Sequence, residues 1–424
     1  MSSSGGAKPV YILSGLVVGA ALGVAANHFL GPDHQGVDWT VRNIAQPAGQ
    51  VFLKMLFMVV VPLVFCSITL GVAGLGNLKQ LGRVGGKTLA YFALTTAFAA
   101  MLGIGLVNVL KPGKSVSQAT AAALQKEFST DAGKRIEQAN QGPGFSIQMF
   151  VDMIPKNVVR AAATDTDTIG VIFFAIMAGL AATFLSKERA APFLGFLDGL
   201  YEICVIIIGF AMKLAPIGVA GLIFSVTAKF GFDLIKSLGF YLVTVMSGLL
   251  IWQFVGLSIC ASIFGGVSPL VFLGKCRTLM ITAFSTSSSN ATLPTTIRTA
   301  QEEFGVPPKI AGFVLPLGAT MNMNGTALFE GVTVLFLAQI AGVDLSLGDQ
   351  IVVVILAVLT AIGAAGVPGG SLPLLALVLL KVGVDPSMLA IILGVDRIVD
   401  MTRTVPNVCG DLTAALFIAR TEKP

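Results

Sequence analysis

The chain has 424 residues, of which 55% are hydrophobic and only 12% are charged. Soluble globular proteins carry about 25% charged residues, so this composition predicts an all-α polytopic membrane protein. The net charge of +5 does not indicate nucleic-acid binding, because the basic residues do not cluster into an arm or a stripe. Two histidines and five scattered cysteines supply no catalytic or zinc-binding pattern, and we expect neither enzyme activity nor a bound cofactor.

Apolar segments recur along the first two thirds of the chain, and most are long enough to span a bilayer. The connections at 77–87, 186–191 and 265–277 are rich in lysine and arginine. The positive-inside rule therefore places them and the chain termini in the cytoplasm, and the polar insert 111–146 outside the cell membrane. The segments lie at about 10–30, 48–76, 88–110, 168–185, 194–227 and 235–264.

Two later apolar segments, 269–299 and 350–381, are each interrupted in the middle. The first contains the polar run 285–294 and the second contains the glycine- and proline-rich run 363–371, neither of which favours a continuous helix. Unwound backbone is tolerated at membrane depth only where it is buried in protein or lines a cavity. We therefore predict two re-entrant helical hairpins in an inverted repeat, with two kinked spanning helices as the alternative.

Between these segments, the run GATMNMNGT at 318–326 interrupts another apolar helix. Its asparagines, threonines and glycines predict local unwinding of the helix. Unwound carbonyl groups and the side-chain oxygens of asparagine and threonine are ligands that hard cations such as Na⁺ prefer. The run is therefore a candidate cation site.

The last apolar stretch carries five polar residues at steps of four, three, four and four. Helical geometry places them within a stripe about 80° wide on one helix face. A charge at mid-bilayer costs about 2.5–3.5 kcal/mol on insertion scales, so we expect a polar site for a charged solute or for ions. A salt-bridge ladder between helices is the alternative interpretation. The residues are Asp396, Asp400, Arg403, Asn407 and Asp411.

Four motifs occur in order along the second half of the chain: SSSNATLP, GATMNMNGTAL, GAAGVPGG and DRIVDMTRTVPNVCGD. With PLVF at 62–65 and IPKNVVRA at 154–161, they make the chain resemble the dicarboxylate/amino acid:cation symporter family. That family includes the excitatory amino-acid transporters and the archaeal aspartate transporters. The resemblance implies about eight transmembrane helices with the two hairpins, a homotrimer in the lipid bilayer and an elevator-type movement.

The resemblance also implies a division into a scaffold and a mobile transport domain. The scaffold would comprise 10–76 and 147–227, and the transport domain 84–111 and 232–424. The second hairpin would act as the gate. Within the transport domain, hairpin 1 is expected at 269–299, a broken helix at 305–341, hairpin 2 at 348–381 and the last helix at 384–420.

For the substrate, the resemblance assigns Arg403 to a side-chain carboxylate and Asp400 to the ammonium group. An acidic amino acid carries both groups, whereas a C4-dicarboxylate would leave Asp400 unpaired, so the implied function is cation-coupled symport of L-glutamate or L-aspartate. A C4-dicarboxylate symporter of the same fold and an ion channel are the alternatives. Further implied substrate contacts are Ser288, Ser289, Thr326, Val367, Thr404 and Asn407.

Three Na⁺ sites are implied in the same way. At the third site, Asn324 replaces the aspartate of sodium-coupled members, and the loss of this negative charge should weaken Na⁺ binding. The first site comprises Gly318, Asn322, Asn407 and Asp411, and the second comprises Thr320, Ala361, Ile362 and Ala364. The third comprises Thr95, Thr96, Asn322 and Asn324.

Glu330 stands where proton-carrying members of the family have a glutamate and archaeal sodium-only members have a glutamine. Burial in an apolar helix favours the neutral form of a carboxyl group. Together with Asn324, this residue motivates the hypothesis that protons replace at least one Na⁺; the alternative is that Glu330 is merely paired. The chain lacks the second arginine that the family usually keeps near the substrate, since the matching positions are Ser287 and Met401.

Overall fold

The computed structural model of this chain is helical throughout its described part, which confirms the predicted all-helical fold class. Five helical stretches there are long and apolar enough to cross a membrane. These are Gln35–Ala73, Arg83–Ser115, Lys187–Lys229, Lys236–Ile263 and Pro308–Ala341, with shorter apolar helices at Ser14–Leu30, Gly170–Ala182 and Leu347–Ile362. The structure describes residues 9–31, 34–73, 78–115, 154–163, 168–363, 369 and 371–422.

The described helices of the first half of the chain mostly pack with one another, and one long helix packs elsewhere. They are α1 (Pro9–Leu30), α2 (Gln35–Thr40), α3 (Gln46–Phe57), α4 (Val60–Ala73), α5 (Leu78–Leu110), α6 (Val158–Ala163), α7 (Thr168–Ala182) and α8 (Lys187–Phe230). Helix α8 has 44 residues and packs against α1, α3 and α4, and α7 packs against α4. Helix α5 packs instead against helices of the second half.

Helix α1 lies against α8 at backbone distance. A Cβ atom at Gly19 would collide with the carbonyl group of Ala220, and one at Gly15 would collide with the carbonyl group of Pro216. Small residues that let backbones approach are typical of helix contacts in lipid, where no hydrophobic effect drives helices together. The spacing GLVVGAALG therefore fixes where α1 binds α8.

The second half of the chain surrounds a central helix. Its helices are α9 (Phe232–Ile251), α10 (Leu257–Ile263), α11 (Pro269–Lys275), α12 (Arg277–Thr286), α13 (Ser289–Arg298), α14 (Pro308–Met321), α15 (Asn324–Ala341), α16 (Leu347–Gly363), α17 (Leu372–Lys381) and α18 (Leu389–Thr421). Every side chain of α15 from Asn324 to Ala338 is buried. This helix packs against α5, α9, α16 and α18, so it forms the centre of the core.

The first interrupted segment forms helices α12 and α13, which pack against each other across a turn at Ser287 and Ser288. Ser287 has a left-handed backbone with φ of 51°, and the Ser288 hydroxyl accepts a hydrogen bond from the backbone N–H of Ala291. The interruption is present but shorter than the predicted run 285–294, because Pro294 lies inside α13. A proline there removes one backbone hydrogen bond, and the remaining bonds of the helix persist.

The second interrupted segment forms helices α16 and α17, which also contact each other. Within the connecting run, Gly369 has a positive φ of 74°, a backbone conformation that favours glycine. Two predicted site residues of this run, Ala364 and Val367, lie outside the described residues.

Helices α14 and α15 are the two parts of one broken helix. Asn322, with φ of −128° and ψ of 76°, and Met323, with φ of −106° and ψ of 67°, separate them. The unwinding predicted for the run 318–326 is therefore confirmed and is confined to these two residues. The last helix, α18, starts at Leu389 after a short 3-10 turn, five residues later than expected, and continues through Pro406 to Thr421.

Candidate functional site

The polar face predicted in the last apolar stretch lies inside the protein. Asp396, Asp400, Arg403, Asn407 and Asp411 are all buried on α18, with relative exposures between 2% and 7%. Helix α18 contacts α12, α14 and α15, so the unwound parts of the other helices surround it. The alternative of a ladder of salt bridges between helices is wrong for the described residues, because the ion pairs of this cluster join residues of α18 itself.

Arg403 forms the shortest ion pair of the site. Its Nη2 and Nε atoms donate hydrogen bonds to Oδ1 of Asp400 over 2.6 and 3.1 Å. The guanidinium group also lies 4.4 Å from the ring centre of Phe329, a cation–π contact with α15. Its Nη1 atom is 3.8 Å from Oδ1 of Asp396, which is too long for a hydrogen bond, and both atoms are without a hydrogen-bond partner in the described part.

A second arginine, absent from the sequence-based prediction, completes this cluster. Arg397 is 9% exposed, and its Nη1 atom lies 3.3 Å from Oδ2 of Asp400. The backbone N–H of Gly369, between α16 and α17, donates to the same oxygen over 3.3 Å. The spacing of three residues between Arg397 and Asp400 was the available signal in the sequence.

Asn407 connects α18 to the start of α15. Its Oδ1 atom accepts hydrogen bonds from the backbone N–H groups of Gly325 at 2.8 Å and Thr326 at 3.4 Å. Its Nδ2 atom donates to the Thr326 hydroxyl over 3.3 Å. The structure therefore brings together two of the predicted substrate residues, Asn407 and Thr326.

Thr404 and Ser288, two further predicted substrate residues, form hydrogen bonds within or next to their own helices. The Thr404 hydroxyl donates to the backbone carbonyl of Asp400, within α18. Ser288 caps α13, and Ser289 is buried in the first turn of that helix. Helix α13 contacts α18, which places this turn next to the helix that carries the charged cluster.

The first predicted cation site is partly assembled. Nδ2 of Asn322 donates to Oδ1 of Asp411 over 2.9 Å, and a Cβ atom at Gly318 would touch the same carboxylate. Oδ1 of Asn322 is buried and has no partner among the described residues. A carboxylate, an amide oxygen and unwound backbone fit the preference of a hard cation for oxygen ligands. No hydrogen bond between described residues joins Asn407 to this group.

One pair of the third predicted site is in contact, and that pair carries no charge. The Thr96 hydroxyl donates to Oδ1 of Asn324 over 2.8 Å, and Nδ2 of Asn324 is buried without a partner in the described part. The Thr95 hydroxyl donates to the backbone carbonyl of Tyr91. The group contains no carboxylate, and the amide NH₂ of Asn324 is a hydrogen-bond donor that cannot coordinate a cation.

The second predicted site is not brought together by any hydrogen bond of the described residues. The Thr320 hydroxyl donates to the carbonyl of Leu317 within α14. Ala361 is buried in α16 and Ile362 is half-buried, and α14 contacts α16. The predicted fourth residue, Ala364, lies outside the described residues.

Glu330 is completely buried at the centre of α15. The Thr360 hydroxyl, on α16, donates to Oε2 of Glu330 over 2.6 Å. Oε1 has no partner among the described residues. The residue is therefore paired on one oxygen only, and no described ion pair neutralises it.

The described part of the chain, with several apolar helices around a buried charged site, is typical of an integral membrane protein. Residues 9–421 match the sodium:dicarboxylate symporter family, and the chain belongs to that family. The resemblance seen in the sequence is therefore confirmed.

Three relatives of known name are similar to this chain over nearly its whole length. The proton/glutamate-aspartate symporter of Escherichia coli (strain K12) is 34% identical over 401 residues, which cover 95% of this chain and 90% of the relative. The proton/sodium-glutamate symport protein of Bacillus subtilis (strain 168) is 36% identical, with 91% and 89% covered. The C4-dicarboxylate transport protein of the same bacterium is 32% identical, with 97% and 93% covered.

Proposed function

We propose that the protein is a secondary active symporter that takes up L-glutamate or L-aspartate together with cations across the cell membrane. The observation that carries this proposal is the buried ion pair of Arg403 with Asp400. The guanidinium group complements a carboxylate of the substrate, and the aspartate complements its ammonium group. The names of the Escherichia coli relative and of the first Bacillus subtilis relative support the same substrate class.

Substrate binding would replace the ion pair between Arg403 and Asp400 with two ion pairs, one from each residue to the substrate. The ammonium group takes Asp400 and the carboxylate takes Arg403, so both buried charges keep a partner and the cost of their desolvation stays offset. Gly369 contacts Asp400 from the connection between α16 and α17, which supports that connection as the gate over the site. A site of this kind binds one solute at one depth, unlike the weak multi-site binding of an ion channel.

A C4-dicarboxylate symporter is the second candidate, favoured by the name of the second Bacillus subtilis relative. A dicarboxylate brings two negative charges and no ammonium group, so it would place a carboxylate near Asp400, whose nearby arginines already pair with that aspartate. Repulsion there disfavours this substrate.

Uptake of radiolabelled substrates into proteoliposomes tests the proposal. We expect saturable uptake of L-aspartate or L-glutamate that requires an imposed cation gradient, with little uptake of succinate. Asp400→Asn should reduce amino-acid uptake strongly, because the neutral side chain no longer pairs with the ammonium group. Preferred uptake of succinate would replace the proposal by the second candidate, and flux that does not saturate would favour a channel.

Three groups of buried residues bear on the choice of coupling ion. Asp411 and Asn322 supply a site that suits Na⁺, whereas Asn324 leaves the third site without a carboxylate. Glu330 supplies a buried carboxyl group with one oxygen unpaired. We therefore propose that a proton on Glu330 replaces at least one Na⁺ in the transport cycle.

Glu330→Gln tests proton coupling. This variant keeps the shape and the contact with Thr360 but cannot release a proton, so uptake driven by an inward proton gradient should fall to the level measured without a gradient. Glu302→Gln, an exposed carboxylate paired with Arg298, is the matched control and should behave as wild type. Unchanged proton-driven uptake in Glu330→Gln would contradict the assignment.

The assembly is proposed from family membership. The packing of α1, α3 and α4 with α8, and of α7 with α4, supports the scaffold, and the packing around α15 supports the transport domain. In this proposal three copies join through their scaffolds, both hairpins are re-entrant, and the transport domain moves as an elevator. The termini face the cytoplasm. A mass of the purified protein in solution equal to that of one chain would contradict the trimer.

A further inference from the structure

Arg397 is a buried charge that the proposed substrate-binding scheme does not use. The side chain is 9% exposed, and its one ion pair in the described part of the chain is with Asp400. Its Nε atom is buried and has no partner there. A guanidinium group inside a membrane protein is costly, so a residue in this position requires an explanation beyond helix packing.

Asp400 accepts four hydrogen bonds from other residues of the protein. Its Oδ1 atom accepts two hydrogen bonds from Arg403, over 2.6 and 3.1 Å. Its Oδ2 atom accepts one from Arg397 and one from the backbone of Gly369, each over 3.3 Å. The carboxylate that would bind the substrate ammonium group is therefore already occupied from within the protein.

The two contacts of Asp400 with arginine differ in strength. Charge-assisted hydrogen bonds between nitrogen and a carboxylate are about 2.7–2.9 Å long, and the Arg403 contact of 2.6 Å is at least that short. The Arg397 contact of 3.3 Å is longer and therefore weaker. An arriving ammonium group would displace Arg397 from Oδ2 more readily than it would displace Arg403 from Oδ1.

We propose that Arg397 is an internal counter-ion that takes the place of the substrate ammonium group on Asp400 when the carrier is empty. This inference rests on the proposed function, because only a carrier has to bury its empty site and return it across the membrane. Asp396 and Asp400 are balanced by Arg397 and Arg403, so the empty cluster is neutral and can be enclosed. Without Arg397 the cluster would carry one unbalanced negative charge, which is costly to bury.

Comparison of net uptake with exchange tests this role. Net uptake into empty proteoliposomes needs the return of the empty carrier, whereas exchange of external labelled L-aspartate for internal unlabelled L-aspartate does not. We expect Arg397→Gln to lower net uptake about tenfold and to leave exchange within about twofold of wild type. Arg298→Gln, an exposed arginine paired with Glu302, is the control and should change neither rate.

Equal loss of exchange and net uptake in Arg397→Gln would overturn the inference, because it would indicate a structural or direct substrate-binding role. Unchanged net uptake would overturn it as well.

If the glutamine variant does not fold, Arg397→Lys keeps the test decisive. Lysine keeps one charged donor group at this position, so this variant should retain exchange and give intermediate net uptake. Any proportional change of both rates counts against the proposal. Failure of the wild-type protein to exchange L-aspartate or L-glutamate would instead reject the proposed function.

Discussion

The charged residues of α18 illustrate how far single residues could be predicted. The spacing of Asp396, Asp400 and Arg403 predicted one buried face, and the structure confirms their burial. Arg397 was missed because it directly follows Asp396, so its Cα lies about 100° away from that residue around the helix. Its long side chain nevertheless spans one turn to reach Asp400. Helical spacing locates backbone positions, and flexible side chains extend beyond them.

The two hydrogen bonds from Arg403 to Asp400 predict that even a conservative substitution of Arg403 strongly lowers the uptake rate. Arg403→Lys should lower uptake of acidic amino acids about 100-fold or more, because lysine cannot form the two hydrogen bonds to Asp400 or the planar contact with Phe329. Initial uptake rates at several substrate concentrations measure the effect. Lys381→Arg, at the end of α17, is a control for exchanging the two cations. Loss of less than tenfold would show that charge alone suffices at this position.

The sequence predicted which segments are helical more accurately than where each interruption begins and ends. The apolar segments and the interruptions near 285–294 and 318–326 were visible because serine, asparagine and glycine disfavour helix interiors. Their length was overestimated, since tertiary packing holds Pro294 and Gly325 within helices. The intimate contact of α1 with α8 was not predicted, because a glycine spacing does not identify its partner helix.

That contact predicts a destabilising substitution on α1. Gly19→Ala should lower the free energy of unfolding by about 1–3 kcal/mol, because the added methyl group would collide with the carbonyl group of Ala220. Gly209→Ala on α8, where a Cβ atom meets nothing within 4 Å, is the matched control. Alanine favours helix there, so the control should be neutral or about 0.5–1 kcal/mol more stable. Thermal unfolding in detergent measures both, and equal stabilities would refute the close contact.

The end of α18 is tied to α5 by charges outside the membrane. The Glu422 carboxylate accepts hydrogen bonds from Lys87 over 2.7 Å and from Arg83 over 2.5 Å. These contacts, that with Lys87 first, hold the pKa of Glu422 below its usual range. A lowered pKa means that the stabilisation is present above the usual carboxyl pKa and is lost as the pH falls through the lowered value.

Glu422→Gln should therefore be slightly less stable than wild type at pH 7, and the difference should vanish in acid, once the pH has fallen through the lowered pKa of Glu422. High salt should also shrink the difference, since Arg83 is exposed to solvent. Thermal unfolding of both proteins at the two pH values tests this expectation. A difference that persists in acid would indicate packing rather than charge.

At the scale of the whole molecule, the family and the class of protein followed from composition and four ordered motifs. Ala364 and Val367, in the connection between α16 and α17, remain predictions because they lie outside the described residues. The choice of coupling ion also depends on more than residue types. Asp411 gives its predicted cation site one negative charge, whereas Asn324 gives the neighbouring site none. Cation affinity depends on the number of charged ligands and on the rigidity of each site.

The tight fit of α15 against α18 has a mechanical consequence. A Cβ atom at Gly325 would collide with the backbone carbonyl of Arg403, and one at Gly410 would collide with the amide of Asn324. The first contact is with backbone and the second with a side chain, so the two helices cannot slide past each other by part of a turn without a clash at Gly325. Their amide protons should therefore exchange with deuterium slowly and as one cooperative unit. If the protein changes conformation, we expect the charged cluster to move as one rigid unit, while looser helix contacts elsewhere change.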